Sequence, residues 1–135
     1  MTVLLLSPGV LQAGFNSDAQ GLALKGYDAV AYFTESAAVP GTAEHEVAWQ
    51  GVKWRFKNEE NKALFAADPE KYAPQYGGYC AFAVSRGATA DGDPNAWSIE
   101  GGKLYLNLNA RIRSRWQQNA RANIESADKN WPNIS

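Results

Sequence analysis

One cysteine and one histidine stand among the 135 residues, Cys80 and His45, and they limit what the side chains of this chain can do. A single thiol excludes an internal disulfide and a multi-thiolate zinc site within one chain. A single imidazole excludes a His-rich metal site, so a metal would need oxygen ligands, a lone thiolate or a second chain. Cys80 follows Gly77-Gly78 and enters a stretch, residues 79–86, whose pattern predicts a helix. In the first turn of such a helix, unpaired N–H groups and the dipole favour a thiolate. That thiolate could ligate a soft, copper-like ion, attack an electrophile or pair with another chain. The bland alternative is a small buried side chain, since free cysteine is among the most buried residue types. A nucleophile also needs a base, and nothing in the spacing brings His45 to Cys80.

Five tyrosines, Tyr27, Tyr32, Tyr72, Tyr76 and Tyr79, fall around the glycine-bearing segments. Tyrosine is amphipathic, so hydroxyls converging on the thiol could line a pocket for a metal or a small molecule; packed rings with hydroxyls at the surface are the competing reading. Asp91 and Asp93 flank Gly92 in the manner of a calcium loop, but Gly102 stands where the loop's closing Glu is required, which leaves a turn. Arg111, Arg113, Arg115 and Arg121 form a local basic patch. Arg113 lies closest to the buried stripe of its helix and can reach an anion or an internal carboxylate. The formal net charge of −1 gives no pull towards nucleic acid. There is no phosphate-binding glycine loop, nucleophile elbow, His-Glu-x-x-His or Cys-x-x-Cys. The candidate ligand-binding set is therefore Cys80, Tyr79, Tyr76, Tyr27, Tyr32 and Arg113, with Cys80 the metal candidate and no catalytic residue assigned.

The elements that must position these residues are legible in the patterning. Residues 1–19 contain Val3-Leu4-Leu5-Leu6 and Val10-Leu11, too short a run to span a bilayer. Small-residue sites end at Ala13 and Ala19, so this segment reads as a signal-peptide remnant or a flexible or docked N-terminal piece, ahead of a single domain over residues 20–135. Residues 21–25 predict a brief strand. Asp28 caps a short helix carrying Val30 to Phe33. Gln50-Gly51 turns a first hairpin that sets Trp49 opposite Val52, Val47 opposite Trp54, His45 opposite Phe56, Glu46 opposite Arg55 and Glu44 opposite Lys57. Asn58 caps a helix whose buried side would be Leu64 and Phe65, and Pro69 restarts a helical turn. Gly101-Gly102 turns a second hairpin, with Ile99 against Leu104 and Trp97 against Leu106. A long C-terminal helix over residues 110–128 buries Ile112, Trp116, Ala120, Ile124 and Ala127. Two antiparallel β-hairpins packed with several helices, without βαβ alternation, make an α+β fold.

The run from Gly26 through Phe33 (GYDAVAYF), the run from Phe65 through Ala81 (FAADPEKYAPQYGGYCA), and the stretches from Gly92 to Trp97 and Leu104 to Asn107 resemble the YHS domain-containing family. The resemblance covers most of residues 21–132. It implies a relationship to modules found beside copper-transporting ATPases and to treble-clef metal folds, and for stand-alone members an exported bacterial protein. Metal-type modules carry a cysteine pair after the second strand of the hairpin. Here that region reads Phe56-Lys57-Asn58-Glu59-Glu60-Asn61, with no thiol, so only Cys80 carries over. The expectation is a periplasmic or secreted, non-enzymatic binding domain for a soft metal ion, with copper the candidate cofactor, or for a small molecule. The alternatives are a thiol-dependent enzyme or redox protein using Cys80, and an accessory subunit docking on a membrane partner.

Overall fold

The alternating runs around Gln50-Gly51 close into a hairpin in the computed structural model, which describes residues 14–134. Strands β1 (Thr42–Trp49) and β2 (Val52–Phe56) pair antiparallel, with Trp49 opposite Val52, Val47 opposite Trp54 and Glu46 opposite Arg55. Gln50 at φ 55° and Gly51 at φ 79° supply the two left-handed residues that a tight hairpin needs. Arg55 Nε meets Glu46 Oε2 at 2.7 Å, across the face opposite Trp54. The ladder slips between Thr42 and Glu46, so Phe56 faces Thr42 rather than His45. An irregularity of this kind breaks the strict alternation on which the longer register rested. Glu44 loses Lys57 with it, and Lys57 pairs with Glu35.

Strands β3 (Asp93–Glu100) and β4 (Lys103–Asn107) form the second hairpin, with Ile99 against Leu104, Trp97 against Leu106 and Glu100 against Lys103. Successive side chains of a strand point to opposite faces, and on β4 both faces are covered. Leu104 and Leu106 join one core with Tyr32, Trp54, Phe56, Phe65 and Tyr72. Tyr105 points into a second core with Tyr76, Ala81, Val84, Trp116 and Ala127. The strand is thus a partition between two hydrophobic clusters.

The helices complete the two halves. Asn58 caps α2 (Glu59–Ala67) by accepting the Asn61 N–H at 2.8 Å. Phe65 is fully buried, but Leu64 is 44% exposed, a correction to the expected buried pair. Asn61 and Phe65, four residues apart, share the inner face, and one step of 100° carries Leu64 off it. Two single-turn helices, α1 (Ala31–Thr34) and α3 (Pro69–Tyr72), lie against the first core. Helix α4 (Ala81–Ser85) is shorter than residues 79–86, so Cys80 is its N-cap residue and not part of its first turn. Residues 21–25 do not form a strand. Leu22 makes one parallel bridge to Lys53, and Leu24–Gly26 is a 3-10 turn. The C-terminal helix is divided into α5 (Ala110–Gln117) and α6 (Ala120–Asn130). Asn119 leaves helical geometry at φ −147°, ψ 50°; the Trp116 carbonyl accepts the Asn119 N–H at 3.2 Å and Asn123 Nδ2 at 3.1 Å, which ties the two helices together at the break. The break lets both Trp116 and Ala127 enter the second core, while Ile112, Ala120 and Ile124 are half-buried.

The residues just ahead of the 3-10 turn are docked. The Phe15 ring lies 5.3 Å from Trp49 and 5.2 Å from Trp54, and the Asn16 N–H donates to the Gly77 carbonyl at 2.8 Å. The apolar run Val3 to Leu11 and the small-residue site at Ala13 lie outside the described residues.

Candidate functional site

Two left-handed turns face one cavity. Leu24, Lys25 and Gly26 have φ of 55°, 51° and 86°, and Tyr76, Gly77 and Gly78 have φ of 56°, 64° and 82°. Left-handed L-residues occur singly as a rule, because Cβ crowds the following carbonyl oxygen. Here non-glycine residues lead both runs. Glycine is required where the walls meet. A Cβ on Gly77 would lie 2.6 Å from the Gly14 carbonyl oxygen, and one on Gly92 would collide with the Gly78 carbonyl. The half-open cavity between them has a volume of about 440 Å³. Its apolar lining is Leu22, Leu24, Leu106 and Tyr79, and its polar lining includes Asn16, Asp18, Lys25 and Asp91.

Lys25 and Asp91 join across 66 residues of sequence. Lys25 Nζ donates to Asp91 Oδ2 at 2.5 Å, and Asn16 Nδ2 donates to Asp91 Oδ1 at 2.7 Å. The Lys25 hydrogen bond is the main reason the Asp91 carboxyl is held below the usual carboxylate range; Asn16 adds to it and partial burial opposes it. Both charged side chains are about half exposed, at 46% and 51%, so the pair is solvated and can be exchanged for contacts with a bound group. Asp18 is occupied locally, accepting the Gln20 and Leu22 N–H groups.

Of the residues singled out by sequence, Tyr79 lines this cavity and Cys80 does not. The thiol is 1% exposed. It accepts the Leu108 N–H at 3.2 Å and sits 3.5 Å from Asn107 Oδ1, which also accepts the Phe82 N–H. Asn107 Nδ2 and Trp116 Nε1 are buried atoms without a partner among the described residues. The tyrosines are divided between the two cores rather than gathered on the thiol. Tyr32 packs with Trp97 in the first and donates to the Pro94 carbonyl at 2.8 Å. Tyr27 and Tyr72 belong to the same side. Tyr76 lies in the second, donating to Asp128 Oδ1 at 2.9 Å. Burial first, then Tyr27 and nearby acids at Tyr32 and Asp128 at Tyr76, pushes both phenols far above their ordinary value, and both remain neutral donors. Among the described residues Arg113 reaches no carboxylate; its Nε donates to Ser98 Oγ at 3.0 Å, beside Gln117. His45 Nδ1 lies 3.2 Å from Glu59 Oε1.

The donor set does not fit a metal ion. Among the described residues no three His, Cys, Asp or Glu side chains come together, and the one thiol already holds a backbone N–H. No protein-family model, curated protein or solved structure matches this chain. The cavity has to be read from its own chemistry. Sequence reasoning missed Asn16 and Lys25 altogether and took Asp91 for a turn residue. No local pattern announces a pair formed between residues 66 apart, although a lysine directly before glycine was the available hint of an unusual backbone.

Proposed function

We propose that the chain is an exported, non-enzymatic binding domain of YHS type that holds a small organic molecule in the cavity between residues 16–25 and 78–92. The observation that carries this reading is the pair of left-handed turns on its two sides. Backbone held at left-handed angles costs about 1–3 kcal/mol per non-glycine residue and gathers at ligand clamps and active sites. Leu24, Lys25 and Tyr76 all pay that cost beside or within the cavity walls. Leu22, Leu24, Leu106 and the Tyr79 ring offer an apolar surface, while the half-exposed Lys25–Asp91 pair offers both signs of charge. A short apolar or flat body bearing a carboxylate would take Lys25, and one bearing an amine would take Asp91. Export rests on the apolar run in residues 3–11 and on the small-residue sites that follow it.

A nuclear magnetic resonance screen with small aromatic carboxylates and amines tests the reading. Hits should shift the amides of Lys25, Tyr79 and Gly92, and Ala90→Trp, which fills the cavity, should abolish them. Hits that survive Ala90→Trp, or that shift only residues elsewhere, would overturn it. Cys80→Ser should leave these hits unchanged, since the thiol does not line the cavity.

A further inference from the structure

On another part of the molecule two arginines converge on one ring. The Arg86 guanidinium carbon lies 4.3 Å from the Phe82 ring centroid and that of Arg115 lies 5.1 Å from it. Arg86 follows α4 and Arg115 belongs to α5, so the meeting is tertiary. Both arginines are exposed and Phe82 is half-buried. Stacking on an aromatic face fixes the plane of a guanidinium but satisfies none of its N–H groups. Among the described residues no carboxylate pairs with either arginine. Helix α5 carries Arg111, Arg113 and Arg115 and no acid, and Arg111 lies one turn from Arg115 on the same exposed face.

Arg86 is also held in place. Its Nη1 donates to Ser85 Oγ at 2.9 Å and to Asn123 Oδ1 at 3.1 Å, and Asn123 is itself buried against the break between α5 and α6. Only that nitrogen is engaged among the described side chains, which leaves Nε and Nη2 for another acceptor. Two guanidinium groups held over one ring without a counter-charge repel each other, and an oxyanion that reaches both converts that repulsion into two charge-assisted hydrogen-bonded pairs.

We propose that Arg86 and Arg115, stacked on Phe82, form a binding site for a phosphate group, free or as a monoester. A planar fork matches the oxygens of phosphate pairwise, and here two forks are pre-oriented by one ring. The site is separate from the cavity, and neither depends on the other.

Inorganic phosphate titrated at ionic strength held constant with sodium chloride provides the test, read by the arginine Nε–H and Phe82 ring resonances. Saturable shifts confined to Arg86, Arg115 and Phe82 are expected. Arg115→Ala, whose guanidinium contacts the ring without a structural hydrogen bond, should weaken binding by about tenfold or more, and Arg115→Lys should weaken it less. Arg121→Ala should bind as the parent does. Phe82→Leu keeps both charges and should also weaken binding, which separates a built site from mere positive charge. Methyl phosphate in a parallel titration distinguishes the sources, tighter binding than inorganic phosphate marking an esterified ligand and weaker binding the free ion. Shifts that spread over every arginine without saturating, or unchanged binding by Arg115→Ala in a chain that melts normally, would overturn the proposal.

Discussion

Asp28 shows how much one side chain can hold. It is fully buried, its Oδ1 accepts the N–H groups of Val30 and Ala31, and its Oδ2 accepts the Lys57 N–H and Asn61 Nδ2. The bonds to the start of the helical turn were legible from an acid placed before an apolar run, although Val30 and not Asp28 is the N-cap residue of α1; the other two bonds, to residues about thirty positions away, were not. One carboxylate therefore ties α1 to the end of β2 and to α2. Replacing it by alanine strands four donors in the interior, and each orphaned buried group costs about 1–3 kcal/mol. Asp28→Ala is expected to lower stability by at least about 3 kcal/mol, read by urea denaturation, with Asp28→Asn recovering part of the loss. A loss below about 1 kcal/mol would show that water replaces the carboxylate at little cost.

At the scale of elements, the segment ahead of the 3-10 turn makes contacts that distinguish the two small-residue sites. Phe15 closes an aromatic series with Trp49, Trp54 and Phe65, whose ring centroids lie about 5–6 Å apart. Asn16 gives one hydrogen bond to Gly77 and another to Asp91 at the cavity. Cleavage after Ala13 leaves all of these contacts in place, and cleavage after Ala19 removes them. Protein recovered from the periplasmic or secreted fraction of its host is expected to begin at Gly14 rather than Gln20. A chain begun at Gln20 should lose roughly 1 kcal/mol from the missing, half-buried phenylalanine alone. Mass measurement fixes the first residue, and an intact Met1 in native protein would sink the export reading.

The whole molecule consists of two cores on either side of β4, and buried phenols anchor both. Tyr32 belongs to the first, Tyr76 and Tyr105 to the second. Burial is the largest cause of the upward shift at all three, and Tyr105 is pushed up to about 12. Below pH 10, the ordinary value for the group, folded and unfolded states both keep these protons, so stability is unaffected. Above it the unfolded chain releases them first, and stability falls as pH rises towards the folded values. We expect alkaline unfolding in which part of the phenolate absorbance grows in step with the loss of near-ultraviolet circular dichroism. Complete phenolate formation in a chain that keeps its native dichroism would contradict this burial.

Local chemistry was enough for the turns and inner registers of both hairpins, for the Asn58 cap and for the α+β class. A two-residue turn and an alternating pattern constrain residues a few positions apart, and Glu46 duly meets Arg55 while Trp97 meets Leu106. Periodicity also marked Trp116 and Ala127 as buried. It did not reveal the break at Gln118-Asn119, where Asn123 bonds back to the Trp116 carbonyl and both flanking helices turn onto the second core. The candidate site was legible only at Tyr79. Asn16, Lys25 and Asp91 come together through the crossing of distant segments, and the left-handed turns that bring them there are held by tertiary packing against residue preference. Cys80 drew attention because its type is reactive. Its environment was decided by the fold, which places it as a buried N-cap residue against Asn107 and Leu108, where a sulfur serves packing and hydrogen bonding together.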